Sequence, residues 1–228
     1  PAQPHFQPRQ RGDMRGQRRK QPRERRLDAD PVPPADIRVS AMSLPLALGL
    51  AEPRACPTRV PYISADRGPW AERVAALPGL KVGLCWTGNP ARARMDRRRS
   101  IPLARLAPLL DVPGASFVSL SKGARVDPAF ADRIADWTPE IADFRDSAAL
   151  VAALDVIVSV DTAAAHLAGA MGKPVWLLNR ADTCWRWGLG RDDSDWYPTL
   201  RQFRQDAAGD WDAPVARAAA ALAERARA

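Results

Sequence analysis

From Lys81 onward, short apolar runs alternate with stretches of helical periodicity. KVGLCW (81–86) reads as a strand closed by Gly88, Asn89 and Pro90. LARLAPLL (103–110) has helical spacing, and ASFVSLS (115–121) is a second strand. SAALVAALD (147–155) predicts a helix, with Ser147 placed to cap it. VIVSVD (156–161) is apolar almost throughout, as expected of a strand covered on both faces. TAAAHLAGAMG (162–172) predicts a helix stopping at Gly172; KPVWLLN (173–179) and Leu200–Phe203 are further strands; residues 211–228 form a closing Ala-rich helix. Strands alternating with helices imply βαβ units and a doubly wound parallel sheet, with any ligand at the carboxyl ends of the strands.

The first 79 residues read differently. Residues 28–79 are punctuated by proline, with a short strand expected at Ile37–Val39, a turn of helix near Leu44–Leu50 and a short helix within 68–78. Residues 1–27 are rich in Arg, Gln and Pro and nearly free of aliphatic side chains. They bury too little apolar surface to offset their ordering entropy, so a disordered tail is expected.

Charge sharpens this division. The formal net charge is +8, which at first suggests a nucleic-acid binder. Yet residues 1–27 hold nine Arg/Lys against Asp13 and Glu24, while the other 201 residues carry 25 basic and 24 acidic side chains. The basicity belongs to the tail, and nucleic acid is not the expected partner of the body. The three cysteines, Cys56, Cys85 and Cys184, form no CxxC pair, and an odd count fits reduced thiols better than a disulfide framework. His5 and His166 are the only histidines, which excludes a His-rich metal site. No apolar run is long enough to span a membrane, and the N-terminus lacks the apolar core of a signal peptide. A cytoplasmic location is expected.

Three stretches can carry chemistry. In the first, a buried strand ends at Asp161, Thr162 follows, and a helix starts at once. Free backbone N–H groups and the positive end of the helix dipole then point out of the strand end, a place for an anion. Thr162 and His166, four apart, share one helical face. The same spacing also serves a helix cap and a packed core histidine. In the second, Thr87 and Gly88 make a tight turn after the first strand, and Arg92, Arg94 and Arg97 to Arg99 follow. Guanidinium groups suit bidentate phosphate contacts, although such a run is also a solvated basic loop. Neither GxGxxG nor GxxxxGK[ST] is present. In the third, Trp185, Trp187, Trp196 and Tyr197 crowd a Gly- and Asp-rich segment, as stacking surfaces for a sugar or base, or as anchors for a long loop.

In this order, the pieces resemble a bacterial family. GLCWTGNP (83–90), DRRRSIPL (96–103), FVSLSKG (117–123), residues 143–178 and residues 182–205, with MSLPLALG (42–49) ahead of them, are similar to the heptosyltransferase-like glycosyltransferase domain found behind tetratricopeptide repeats. That domain is distantly similar to O-linked N-acetylglucosamine transferase. The resemblance implies the C-terminal, donor-binding lobe of a GT-B glycosyltransferase over residues 80–228, with residues 28–79 a remnant of the N-terminal lobe and connector. It implies a nucleoside-diphosphate sugar as substrate and no cofactor or metal, the DxD step Asp193-Ser194-Asp195 being part of a loop. Thr87, Gly88, Arg99, Asp161, Thr162 and His166 would face the donor diphosphate, and Lys122 and Gly123 would border the nucleoside. The acceptor, a glycan or a protein, and the catalytic base belong to the other lobe, for which about 50 residues are too few. The chain therefore reads as truncated and inactive alone. A non-catalytic nucleotide-binding or protein-interaction module is the alternative.

Overall fold

The computed structural model describes residues 36–40, 43–49, 59–88 and 93–228. The chain divides into two compact units, Pro1–Ser43 and Leu44–Ala228. In the first, residues 36–40 are exposed and without regular structure. The strand expected at Ile37–Val39 does not form: Ile37 is solvated and no neighbouring strand receives its backbone groups. The tail expected over residues 1–27 lies outside the described residues.

The second unit is built on six strands: β1 (Leu80–Cys85), β2 (Ala115–Ser119), β3 (Ile134–Ala135), β4 (Val156–Val160), β5 (Val175–Asn179) and β6 (Leu200–Arg204). Their order in the sheet is β3-β2-β1-β4-β5-β6, and every pairing is parallel. The helices are α1 (Leu44–Ala47), α2 (Trp70–Ala75), α3 (Ala93–Arg99), α4 (Ala107–Leu110), α5 (Phe144–Ala153), α6 (Ala163–Ala170) and α7 (Asp212–Arg227). This is the doubly wound α/β sheet that the alternation predicts.

Two cores explain the apolar strands. Val156, Val158 and Val160 of β4 face a core shared with Leu109 of α4 and Val215, Ala218 and Leu222 of α7. Ile157, one residue out of phase, faces the opposite core, with Trp70 and Val74 of α2, Leu150 and Val151 of α5 and Ala165 and Ala168 of α6. Side chains alternate between faces along a strand, so a strand covered on both sides is apolar nearly throughout, Ser159 being the polar exception in β4. Residues 59–79 belong to this body. Trp70 and Val74 are buried in it, the Arg73 guanidinium lies 4.5 Å from the Trp137 ring centroid, and its Nη1 meets Glu140 at 2.6 Å.

Local details depart from expectation in three places. Asp143, not Ser147, caps α5. Its carboxylate accepts from the amides of Arg145 at 2.7 Å and Asp146 at 3.2 Å, which holds it below the usual carboxylate range, and Ser147 Oγ instead donates back to the Asp143 carbonyl at 2.9 Å. The Arg-rich segment after β1, read as a loop, contains a seven-residue helix, α3. The segment 103–110 is a 3-10 turn (Leu103–Leu106) running into α4, with Pro108 in the first turn of α4, where its missing N–H costs nothing.

Candidate functional site

In an open parallel sheet, ligands sit where the strand order reverses, outside the carboxyl ends of the two central strands. Here those strands are β1 and β4. β1 delivers Trp86, Thr87 and Gly88, and β4 delivers Asp161 and Thr162, directly before α6.

The β1 side closes on a buried carboxylate. Asp96 accepts from the Gly88 amide at 2.8 Å and from Thr87 Oγ1 at 3.1 Å, and faces Arg99 Nε at 3.4 Å. Ser100 Oγ donates to Thr87 Oγ1 at 3.1 Å. Position 88 admits no side chain, because an added Cβ would lie 2.4 Å from the Asp96 carboxylate and 2.3 Å from Arg99 Nη2. The glycine exists for this approach. Arg99 then reaches across the crevice, and its Nη1 donates to the Asp161 carbonyl at 2.9 Å.

On the β4 side, Thr162 stands at the N-cap position without capping. Its buried hydroxyl lies 3.0 Å from Ser159 Oγ and 3.4 Å from Cys85 Sγ, so no side chain caps the head of α6. His166 follows one turn later. Its Nδ1 lies 3.0 Å from the Tyr197 hydroxyl, and its Nε2 lies 3.8 Å from Asp161 Oδ1. The ring stacks on Trp187 at 5.0 Å and meets Tyr197 edge-on at 5.8 Å. Burial lowers the imidazole pKa below its ordinary value; Asp161 opposes this and the Arg186 charge adds to it. The Tyr197 phenol is pushed above its ordinary value, first by burial and then by its hydrogen bond with Tyr62. A protonated phenol donating to Nδ1 leaves a neutral imidazole with its proton on Nε2, toward the crevice.

The six residues predicted to face a diphosphate, Thr87, Gly88, Arg99, Asp161, Thr162 and His166, thus converge on one crevice. Lys122 and Gly123 lie apart from this network, in the turn after β2. Lys122 Nζ donates to the Ile141 and Ala142 carbonyls, the latter at 3.1 Å. Lys122 borders a cleft of about 290 Å³ whose far wall includes Ala163 and Leu167 of α6. A larger cavity of about 900 Å³ adjoins it, sharing Phe144, Ala163 and Leu167 and walled also by Tyr62, Trp70, His166 and Tyr197.

The residues not foreseen at the site are Asp96 and Arg186; Trp187 and Tyr197 were not assigned to the diphosphate. Asp96 was visible only as the one acid opening a basic run. Trp187 and Tyr197 were visible as aromatics with two possible uses. The structure gives them packing: Trp187 is 1% exposed and Tyr197 7%, whereas Trp185 keeps half its surface in solvent. Among the described residues no group of three or more His, Cys, Asp or Glu side chains is arranged to hold a metal ion, and no helix is long and apolar enough to cross a membrane.

Fold and crevice together define a doubly wound α/β protein with a cluster of polar side chains at its switch point. The chain matches no family model and no solved structure. It is similar to Protein FlbA of Caulobacter vibrioides, with 36% identity over 162 residues covering 67% of this chain and 27% of the relative. The chain therefore spans about a quarter of that protein's length.

Proposed function

We propose that residues 80–228 are the donor-binding lobe of a glycosyltransferase that takes its sugar from a nucleoside diphosphate. The observation carrying this reading is the meeting of Arg99, from the β1 side, with Asp161, Thr162 and His166 at the uncapped head of α6. As the bond from the anomeric carbon to the diphosphate breaks, the leaving oxygen gains the electron pair. Groups fixed in advance around that oxygen lower the barrier because they need no reorganisation. The free amides of α6, the Nε2–H of neutral His166 and the Arg99 guanidinium are such groups. The cleft beside Lys122 and Gly123 suits the nucleoside, since it adjoins the same helix head. Attack by the acceptor, a glycan or a protein, requires a base that this reading does not assign to residues 80–228, so transfer by this chain alone is expected to be negligible.

Calorimetric titration with a panel of nucleoside diphosphates and their nucleosides tests the reading. A diphosphate should bind more tightly than its nucleoside. His166→Ala and Arg99→Ala should each weaken diphosphate binding by about 1–3 kcal/mol and leave nucleoside binding nearly unchanged. Equal loss for both ligands, or no loss with either variant, would move the site elsewhere.

A further inference from the structure

Arg99 has its charge matched already. Its Nε faces Asp96 and its Nη1 holds the Asp161 carbonyl. With Asp96 and Asp161 both in the crevice, the groups found there so far supply no surplus positive charge for a diphosphate.

Arg186 stands in a different condition. It lies in the 3-10 turn Trp185–Trp187, within the loop that follows β5. Its Nε is sealed from solvent and has no hydrogen-bond acceptor, as is true of Arg180 and Arg204, but those two pair through their Nη groups and Arg186 does not. Every other half-buried arginine among the described residues has a polar partner. Arg73 holds Glu140, Arg133 holds Asp111, Arg180 holds Asp182, Arg191 holds Asp195, and Arg204 holds backbone carbonyls. Arg186 has only the Trp185 ring, 5.8 Å away. The next residue, Trp187, stacks on His166, so this turn lies against the imidazole, and the Arg186 charge is felt there and at Tyr197. Removing a guanidinium from water is costly unless an anion or a set of acceptors replaces the water. Unpaired buried donors in native proteins call for an explanation, and a ligand is one.

We infer that Arg186 is a second cation of this site, receiving an anionic oxygen of the ligand beside His166 and adding to Arg99, which also braces the two strand-end loops. The inference rests on the donor-site reading, in which that anion is the diphosphate. It can fail while that reading stands.

The test titrates the full chain with inorganic pyrophosphate, with a panel of nucleoside diphosphates and with the matching nucleosides. Arg186→Gln should lower pyrophosphate and diphosphate affinity at least tenfold and leave nucleosides within twofold. The His166 titration, followed by NMR without ligand, should move upward once the neighbouring charge is gone. If the glutamine variant does not fold, Arg186→Met, which keeps the apolar stem over Trp185, should give the same losses. Pyrophosphate affinity unchanged in the Arg186 variant but reduced in Arg99→Ala would overturn the inference and keep the donor-site reading. Failure of the wild-type chain to bind pyrophosphate or any nucleoside diphosphate would overturn both.

Discussion

Residues 86–100 and residues 180–199 both hang from the carboxyl ends of strands, and both reach the head of α6. Among the described residues of the first segment, several polar groups pair with one another: Asp96 takes the Gly88 amide and the Thr87 hydroxyl, and Ser100 and Arg99 join them. The second is shaped by packing. Trp187 and Tyr197 are buried against His166, Trp185 and Trp196 meet edge-on at 6.0 Å, and buried N–H groups of Arg180, Arg186, Trp187 and Trp196 have no acceptor. A segment whose donors are satisfied holds its own form. A segment fixed by aromatic packing can keep donors in reserve for something else. Arg98 ties the two, pairing from α3 with Asp182.

The sharpest way to break the contrast is to remove the packing. Trp187→Ala should destabilise the fold by about 3–5 kcal/mol, the usual cost of emptying a buried tryptophan site, measured by denaturant titration. A loss under 1 kcal/mol would mean the loop is held by its polar groups after all. Asp96→Ala should cost less, about 1–3 kcal/mol, because it removes the shorter of the two hydrogen bonds of the Gly88 amide, the other going to Ser100 Oγ, and takes away the carboxylate that faces Arg99. An unchanged midpoint would show that water replaces the carboxylate without loss. Gly169→Ala probes the seam between loop and helix. An added Cβ would sit 2.5 Å from the Tyr197 ring, so a penalty of about 1–3 kcal/mol is expected, together with a changed His166 environment in NMR spectra. A fully tolerated alanine would show that Tyr197 is free to move.

The smallest effect concerns pH. Burial lowers the His166 pKa in the folded state, from an ordinary value of 6.5. As pH falls through about 6.5 the unfolded chain takes up the proton first, so this contribution to stability is present above that pH and is lost as pH falls toward the folded-state value. The melting temperature should therefore decline over this window. His166→Gln should flatten that decline, and an equal slope in the variant would assign it to other groups.

The strands and the crevice were legible because they rest on local rules. A strand apolar at all but one position, an Asp-Thr step and a helix of small residues announce β4 and α6 directly. Gly88 was legible as a turn glycine, but the reason it must be glycine was not. That reason lies in Asp96 and Arg99 folding back from α3, a contact decided by where the chain returns. α3 itself was hidden by its composition, since three consecutive arginines describe a helix end and a solvated loop equally well. Ser147 and Asp143 are both good caps, and the choice between them fell to the residue whose carboxylate could reach two amides. β3, two residues long, carries no periodic signal at all. Arg186 was hidden between tryptophans, because an orphaned donor is a property of the packed state, invisible in a list of residues.

The bond from Arg99 to the Asp161 carbonyl has a mechanical consequence. It joins the end of α3 to the last residue before Thr162, across the gap between β1 and β4. The gap then has a gauge set during folding, before any ligand arrives. Under the proposed donor-site reading, a ligand entering such a gap would lose less entropy to loop ordering, and selection there would work by size and by the direction of the donors already held in place.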